Sequence, residues 1–125
     1  MGIVGIGVDI VALERIEGIC ARRAEAFAKK VFTEAERQAV FHPVPDIARI
    51  AGRFAVKEAV SKALGTGIGK VAWKDIETLT DVKGAPFVQL SGEAARLAAA
   101  KGVQTVHVSI SHERHAAVAM IVLEG

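Results

Sequence analysis

The stretch 49–64, RIAGRFAVKEAVSKAL, constrains the fold of this chain more than any other. Nearly all of its residues favour helix, and a small residue recurs at every fourth position: Ala51, Ala55, Ala59 and Ala63. Residues four apart lie on one side of a helix, so these alanines form a flat face on which another backbone can pack closely. The sequence therefore predicts a central helix whose small-residue face belongs to the core.

The same predicted helix carries a narrow polar strip. One aromatic and several polar side chains gather there: Phe54, Glu58, Ser61 and Lys62, flanked by Arg53 and Lys57. Glu58 and Lys62 stand four residues apart in the favourable order. The simplest interpretation of this pair is a surface salt bridge that contributes roughly a few tenths of a kcal/mol. On the helix alone, that interpretation is favoured.

The size and polarity of the chain favour one soluble domain that assembles with copies of itself. A chain of 125 residues can build one core, so we expect a single domain over 1–125. The longest unbroken apolar run, 116–123, is far shorter than the roughly 18 residues of a membrane span. A hydrophobic content of 51% with few aromatics predicts buried surface between subunits. A net charge of +2 lacks the dense basic stripe of a nucleic-acid binder.

Cysteine use and the first residues favour the cytoplasm. Cys20 is the single cysteine, so the chain cannot form an internal disulfide. Met1 leads directly into a predicted strand, without the basic segment and the apolar region of a signal peptide. We therefore expect a cytoplasmic protein with no membrane partner.

The remaining patterns predict a mixture of strands and helices. Glycines interleaved with β-branched residues predict an opening strand over 2–10 with Asp9 at its exit. Thr33 and Glu36 form a capping box that begins a short helix, and Asp46 can cap the central helix. The other expected elements are a basic helix over 11–32, strands over 73–80 and 85–90, an Ala-rich helix between Ser91 and Gly102, and a closing hairpin of 103–111 with 116–123.

The glycine and histidine patterns of the chain do not have the spacing of known nucleotide-binding or zinc-binding motifs. Gly5 and Gly7 lack the third glycine of a dinucleotide-binding motif, and the GK at 69–70 lacks the first glycine and the Ser or Thr of a Walker loop. The histidines of the closing hairpin match no closed zinc-site spacing, and strand alternation points His107 and His112 to opposite faces. We therefore expect neither a nucleotide-binding fold nor a zinc site.

Asp9 and Glu58 are candidate ligands for a hard cation. Asp9 belongs to a strand that must lie inside so small a domain, where an uncompensated carboxylate costs roughly several kcal/mol. If the central helix packs across that strand, both carboxylates can meet at Mg²⁺, which takes one or two of them together with water and phosphate oxygens. Lys62, one helical turn on, would face the same phosphates. The alternative, in which Asp9 caps the helix after it, fits the residues about equally well.

The whole chain also resembles a known enzyme family. The motif G-I-G-x-D-I at 5–10, together with R-F-A-x-K-E-A-x-x-K-A at 53–63, resembles the signature of holo-[acyl-carrier-protein] synthase, the small type of 4'-phosphopantetheinyl transferase. Further segments follow in the family order: GTGIG at 65–69, DIE at 75–77, GAP at 84–86 and HVSISH at 107–112. Two signature motifs at this spacing are far more specific than a single glycine pattern.

The resemblance implies a fold and a reaction. The 4'-phosphopantetheinyl transferase fold is an α+β fold in which a mostly antiparallel sheet packs against a long central helix. It has one domain per subunit and forms a homotrimer whose active sites lie at subunit interfaces. The reaction transfers 4'-phosphopantetheine from coenzyme A to a serine of apo acyl carrier protein, with Mg²⁺ as cofactor, and releases adenosine 3',5'-bisphosphate in fatty acid biosynthesis. A polyketide or peptide carrier is an alternative target. A non-catalytic module that binds coenzyme A or a carrier protein is an alternative function.

The resemblance also implies residue roles. Asp9 and Glu58 match the Mg²⁺ ligands, and Lys62 matches a lysine on the phosphates. Glu58 is the first hypothesis for the catalytic base that takes the serine proton, directly or through a metal-bound water, and Asp9 is its rival. Contacts to coenzyme A are implied for Arg53, Ser61, Lys62, Gly65, Pro86 and, from the neighbouring subunit, His112. A contact to the acidic recognition helix of the carrier protein is implied for Arg15, and Arg22, expected to be exposed, also fits such a helix.

One segment departs from the family pattern. Several relatives place Lys and Arg just ahead of the central helix, near the 3'-phosphate of the nucleotide, whereas this chain has HPVP at 42–45. Arg49 and His42 are the possible substitutes for those basic residues.

Overall fold

The computed structural model describes residues 2–125, which form five strands, four α-helices and one 3-10 turn. In chain order the elements are β1 (Ile3–Ala12), α1 (Leu13–Val31), α2 (Glu34–Val40), α3 (Ile47–Ala63), a 3-10 turn (Trp73–Asp75), β2 (Ile76–Thr80), β3 (Pro86–Leu90), α4 (Gly92–Ala100), β4 (Thr105–His112) and β5 (Ala116–Glu124). This order confirms the expected α+β class. Within residues 2–125, no helix combines the length and the apolar character needed to cross a membrane.

The strands form two antiparallel sheets. β5 lies between β1 and β4 in a three-stranded sheet, while β2 and β3 pair as a separate hairpin. One face of the larger sheet packs on α3. Alternate residues of β5 are buried on that face: Ala117, Ala119, Ile121 and Leu123. The expected antiparallel sheet packed against a central helix is therefore confirmed.

α3 approaches β1 at backbone contact distance. A β-carbon at Gly7 would overlap the carbonyl oxygen of Ala59, and a β-carbon at Gly5 would overlap that of Ala63. Glycines on the strand and alanines on the helix therefore let the two backbones touch. Larger residues at these positions would hold the backbones apart. The small-residue face predicted from the sequence is the surface that makes this contact.

α3 is buried over almost its entire circumference, which corrects the predicted polar strip. Phe54, Lys57 and Ser61 were expected on or beside an exposed strip, and Arg53 was expected to flank it, but all four are buried. The sheet covers one side of α3, and α1, α2 and the β2–β3 hairpin cover the other. The buried polar residues of this helix therefore contact those elements, and of the predicted strip only Lys62 is exposed.

Asp9 lies inside β1 instead of at its exit. β1 continues to Ala12, and in the sheet Asp9 stands opposite Ala119 of β5. α1 begins after Ala12, which supplies no side-chain capping hydrogen bond. The interpretation of Asp9 as a helix cap is therefore wrong, and its carboxylate is left for another partner.

Two predicted helix caps are confirmed and one predicted strand is shorter than expected. Thr33 and Glu36 form the reciprocal capping box of α2, and the Asp46 side chain accepts a hydrogen bond from the first turn of α3. The segment expected as a strand from 73 begins as a 3-10 turn, because the Asp75 carboxylate accepts a hydrogen bond from the Ala72 amide at 3.1 Å.

The outer face of the three-stranded sheet exposes apolar side chains. Ile6 is 60% exposed, Val8 55%, Ile10 69% and Met120 50%. They project from neighbouring strands on the side away from α3. A contiguous apolar patch of this kind is typical of a protein–protein contact.

A substitution at Gly7 tests the backbone contact between β1 and α3. We expect Gly7→Ala to lower the free energy of unfolding by about 3 kcal/mol, since the added methyl group forces the helix away from the sheet. Denaturant unfolding followed by circular dichroism measures the change. The control is Gly18→Ala in α1, where a β-carbon would meet only ordinary van der Waals contact. Equal stability of Gly7→Ala and the unsubstituted protein would contradict the close-contact account.

Candidate functional site

β1 and α3 bring two acidic residues together. Gly5, Gly7 and Asp9 alternate along β1, so all three point toward the same side of the strand. The two glycines lie against Ala63 and Ala59 of α3. Asp9 is the next position in this row and therefore faces the preceding turn of α3, where Glu58 projects from the helix.

Glu58 is held in an environment that disfavours its charge. Burial raises the pKa of the Glu58 carboxyl above its ordinary value, and the negative charge of Asp9 raises it further. The positive charges of Lys62 and Arg15 oppose both effects. Two carboxylates and two cations thus meet at the junction of β1, α1 and α3.

Lys62 pairs with Asp9. The Lys62 ammonium donates to Asp9 Oδ1 at 2.9 Å and to the carbonyl oxygen of Val8 at 3.1 Å. The Asp9 side chain is only 18% exposed, whereas that of Lys62 is 51% exposed. The surface salt bridge predicted between Glu58 and Lys62 is therefore wrong, because a strand distant in sequence supplies the partner.

The carboxylate pair fits a magnesium ion. Within residues 2–125, no group of three or more His, Cys, Asp or Glu side chains is arranged to hold a metal. Mg²⁺ needs only one or two carboxylates and takes its remaining ligands from water and phosphate. A divalent cation between Asp9 and Glu58 would also relieve the repulsion that raises the pKa of Glu58. The assignment of Mg²⁺ to this pair stays a prediction.

A second polar cluster lies in a groove of about 200 Å³ between α3, the β2–β3 hairpin and the end of β4. Arg53 is buried there and donates from Nη2 to Thr80 Oγ1 at 3.2 Å. Its Nε–H group is buried without a hydrogen-bond partner. Burial lowers the pKa of Arg53, and the nearby charge of Arg49 lowers it further. Such a group is stabilised by an anion.

The groove contains Pro86, His112 and Arg49 beside Arg53. His42 lies instead in a separate groove, against the second half of α1. Of the two residues that the sequence offered as substitutes for the basic residues of relatives, only Arg49 therefore lies beside Arg53. The exposed Arg49 side chain donates from Nη1 to the carbonyl oxygen of Ala39 at 3.0 Å.

The two clusters occupy opposite sides of α3. Arg53 and Glu58 are five positions apart in the helix, which places their side chains roughly 140° apart around its axis, and Lys62 lies roughly 180° from Arg53. Pro86 and His112 share the side of Arg53. One chain thus carries two half-sites: the acidic half-site of Asp9, Glu58 and Lys62, and the basic half-site of Arg49, Arg53 and His112.

Two other residues expected at the coenzyme site lie at the C-terminal end of α3. Ser61 is fully buried in the single chain, and its hydroxyl donates a hydrogen bond to the Glu58 carbonyl oxygen at 2.7 Å. Gly65 is exposed just after the helix and adopts a φ of 80°, a conformation that favours glycine. Gly65 therefore starts the loop that leaves the acidic half-site.

A basic groove of about 370 Å³ runs beside the acidic half-site. Arg15 lies over the Phe54 ring at 5.2 Å from its centroid, and Phe54 stacks on Trp73. Arg22 lies farther along the same groove. The other cations of the groove are Arg23 and Lys30. A groove with a basic rim and an aromatic floor suits an acidic partner that has an apolar ridge. Arg15 and Arg22, the two residues expected to bind the carrier protein, both lie in this groove.

The sequence analysis missed the buried ion pair of Lys57 and Glu36. The Lys57 ammonium donates to Glu36 Oε1 at 2.8 Å, and both side chains are fully buried. Burial lowers the pKa of Lys57, while the charge of Glu36 opposes that effect. Nothing in the local pattern signals this pair, because its partners lie in different elements and Glu36 already has a local role in the capping box of α2.

Comparisons with known proteins agree over almost the whole chain. The family model described as the 4'-phosphopantetheinyl transferase superfamily matches residues 5–119. A holo-[acyl-carrier-protein] synthase of Natranaerobius thermophilus is 46% identical over 121 residues, which cover 97% of each chain. One of Vibrio parahaemolyticus is 47% identical over 127 residues, covering 100% of each chain.

Solved structures also match over almost the whole chain. The holo-[acyl-carrier-protein] synthase of Neisseria meningitidis has a TM-score of 0.87 at 35% identity and covers 98% of this chain and 99% of its own. The Helicobacter pylori enzyme, solved in complex with coenzyme A, has a TM-score of 0.84 at 35% identity and covers 95% and 99%. The resemblance seen in the two signature motifs is therefore confirmed, and the chain belongs to the holo-[acyl-carrier-protein] synthase family of 4'-phosphopantetheinyl transferases.

Proposed function

We propose that this protein transfers 4'-phosphopantetheine from coenzyme A to a serine of apo acyl carrier protein in a Mg²⁺-dependent reaction. The products are holo acyl carrier protein and adenosine 3',5'-bisphosphate, and the reaction serves fatty acid biosynthesis in the cytoplasm. The observation that carries the proposal is the acidic half-site beside a basic, aromatic-floored groove. This arrangement provides a site for phosphates next to a site for an acidic protein.

Asp9 and Glu58 would hold the magnesium ion, which when bound supplies positive charge to the pyrophosphate of coenzyme A. Lys62 brings a second positive charge to the same place, since its ammonium lies 2.9 Å from Asp9 Oδ1 and its side chain is half exposed. Charge and positioning matter more than covalent catalysis in phosphoryl transfer, because the transition state spreads negative charge over its oxygens.

Glu58 is the proposed general base. Its carboxylate is partly buried at the acidic half-site, where one oxygen would hold the cation and the other stays free to accept a proton. Asp9 is engaged by Lys62 and is therefore the weaker candidate. A Glu58 carboxylate oxygen accepts the proton of the carrier serine as the serine oxygen bonds to the β-phosphorus. The bond from that phosphorus to the bridging oxygen breaks, and adenosine 3',5'-bisphosphate leaves with the electron pair.

We further propose that the active site is completed between subunits of a homotrimer. The acidic and basic half-sites lie on opposite sides of α3, so a coenzyme that contacts both extends beyond one chain. The exposed apolar face of the larger sheet supplies a surface for this assembly. Arg53, Pro86 and His112 would then reach the acidic half-site from the neighbouring subunit.

The transfer reaction is tested by intact-protein mass spectrometry of an apo acyl carrier protein incubated with this protein, coenzyme A and Mg²⁺. We expect the carrier to gain one phosphopantetheine, and EDTA to abolish the gain. Asp9→Ala and Glu58→Ala should each lose at least about 10²-fold in rate, typical for one transition-state stabiliser.

Glu34→Ala is the matched control, since Glu34 is an exposed acid of α2. Near-normal rates for both site variants would contradict the assigned roles. A carrier that binds without a change of mass, across several different carriers, would replace the enzyme proposal with a binding module.

Arg49 is the proposed contact for the 3'-phosphate of coenzyme A. We expect Arg49→Ala to raise the KM for coenzyme A about tenfold or more, because hydrogen bonds to charged groups contribute roughly 1.5–3 kcal/mol. The same variant should leave the KM for 3'-dephospho-coenzyme A unchanged, since that substrate lacks the phosphate. His42→Ala should change neither KM, because His42 lies in the other groove. Equal effects of Arg49→Ala on both substrates would contradict the assignment.

A further inference from the structure

We propose that Lys57 is a positioning residue that sets both substrate-binding grooves from inside the core. The KM values that test this role rest on the proposed transfer reaction, whereas the fluorescence of Trp73 tests it without any reaction. Lys57 is fully buried, so it cannot touch either substrate. Any effect that it has on substrate binding must act through the elements that it holds.

The Lys57 ammonium uses its full donor capacity on elements outside α3. It donates to Glu36 Oε1 at 2.8 Å, to the carbonyl oxygen of Trp73 at 3.0 Å and to the carbonyl oxygen of Ile76. An ammonium has three N–H donors. Lys57 therefore ties α3 to α2, to the 3-10 turn and to the first residue of β2.

Glu36 completes the junction. Its Oε2 accepts the amide of Thr78 at 3.0 Å, and its Oε1 accepts the amide of Thr33 at 2.9 Å. The carboxylate thus fixes a second point of β2 and the beginning of α2. Replacing a buried ion pair by apolar residues is often neutral or favourable for stability, so such a pair is weak evidence for a stabilising role. What this pair supplies is one fixed arrangement of the elements that it joins.

The elements held by Lys57 carry one wall of each groove. The hairpin that begins at Ile76 brings Thr80 to Arg53 and Pro86 into the basic half-site. The 3-10 turn brings the Trp73 ring onto Phe54, with ring centroids 5.0 Å apart, in the floor of the basic groove beside Arg15. Loss of the junction lets the hairpin and the turn shift against α3, which loosens the coenzyme site and the carrier groove together.

The catalytic side chains depend less on this junction. Glu58 and Lys62 project from α3 itself, and α3 is held by its backbone contact with β1 at Gly5 and Gly7. A positioning role for Lys57 therefore predicts weaker binding of both substrates with little change in turnover. A purely structural role predicts fewer folded molecules, which lowers the apparent kcat and leaves each KM unchanged.

The test compares Lys57→Met with Lys101→Met, a matched change at an exposed lysine. We expect Lys57→Met to raise the KM for coenzyme A and for apo acyl carrier protein about tenfold each, with kcat within about threefold of the unsubstituted value. Lys101→Met should leave all three constants unchanged. Lys57→Arg, which keeps the charge and the donors, should recover part of the loss in KM.

Trp73 gives a readout that needs no substrate, since it is the single tryptophan of the chain. In folded Lys57→Met its emission should move to longer wavelength and become more accessible to acrylamide quenching. If Lys57→Met does not fold, Glu36→Gln combined with Lys57→Met takes its place, because the double variant leaves no unpaired buried charge. Unchanged emission together with unchanged KM values in a folded variant would overturn the proposal. Absence of transfer by the unsubstituted protein would refute the proposed reaction, and the emission of Trp73 would still decide the positioning role.

Discussion

The contact between the backbones of β1 and α3 is the constraint on which the rest of the structure depends. Gly5 and Gly7 leave no side chain between the strand and the helix, and the helix residues that face them, Ala63 and Ala59, are small. A helix held this close to a sheet buries most of its circumference once other elements cover its far side. The same contact puts Asp9, the next residue in the glycine row, beside the turn of α3 that carries Glu58.

Most of the polar residues that are buried along α3 have a defined partner. Arg53 reaches Thr80, Lys57 reaches Glu36, and Ser61 donates to the helix backbone. Glu58 is the exception, since its carboxylate is half-buried beside another carboxylate and its pKa is raised. A carboxylate whose charge is unfavourable in the free protein and becomes favourable when a cation binds is typical of a functional site. The fold thus concentrates unfavourable electrostatics at the place where we propose that the phosphates bind.

Local signals in the sequence predicted much of this fold. The alanine period predicted the packing face of α3, and Thr33 with Glu36 and Asp46 predicted two helix starts, because each signal acts within a few residues. Long-range contacts were not predictable in the same way. The polar strip of α3 and the pairing of Lys62 depend on which distant elements cover the helix, and a helical wheel does not contain that information. The family resemblance named the site residues but did not show their division between two sides of α3.

The central claim is that each active site combines the acidic half-site of one subunit with the basic half-site of another. The most direct measurement is the transfer rate of the proposed trimer reassembled from equal amounts of Glu58→Gln and Arg53→Gln subunits, each of which we expect to be inactive alone. With random mixing, about a quarter of the interfaces pair an intact acidic half-site with an intact basic one, so the account predicts about a quarter of the unsubstituted activity. A mixture no more active than its two separate preparations would contradict the account and place the whole site within one chain.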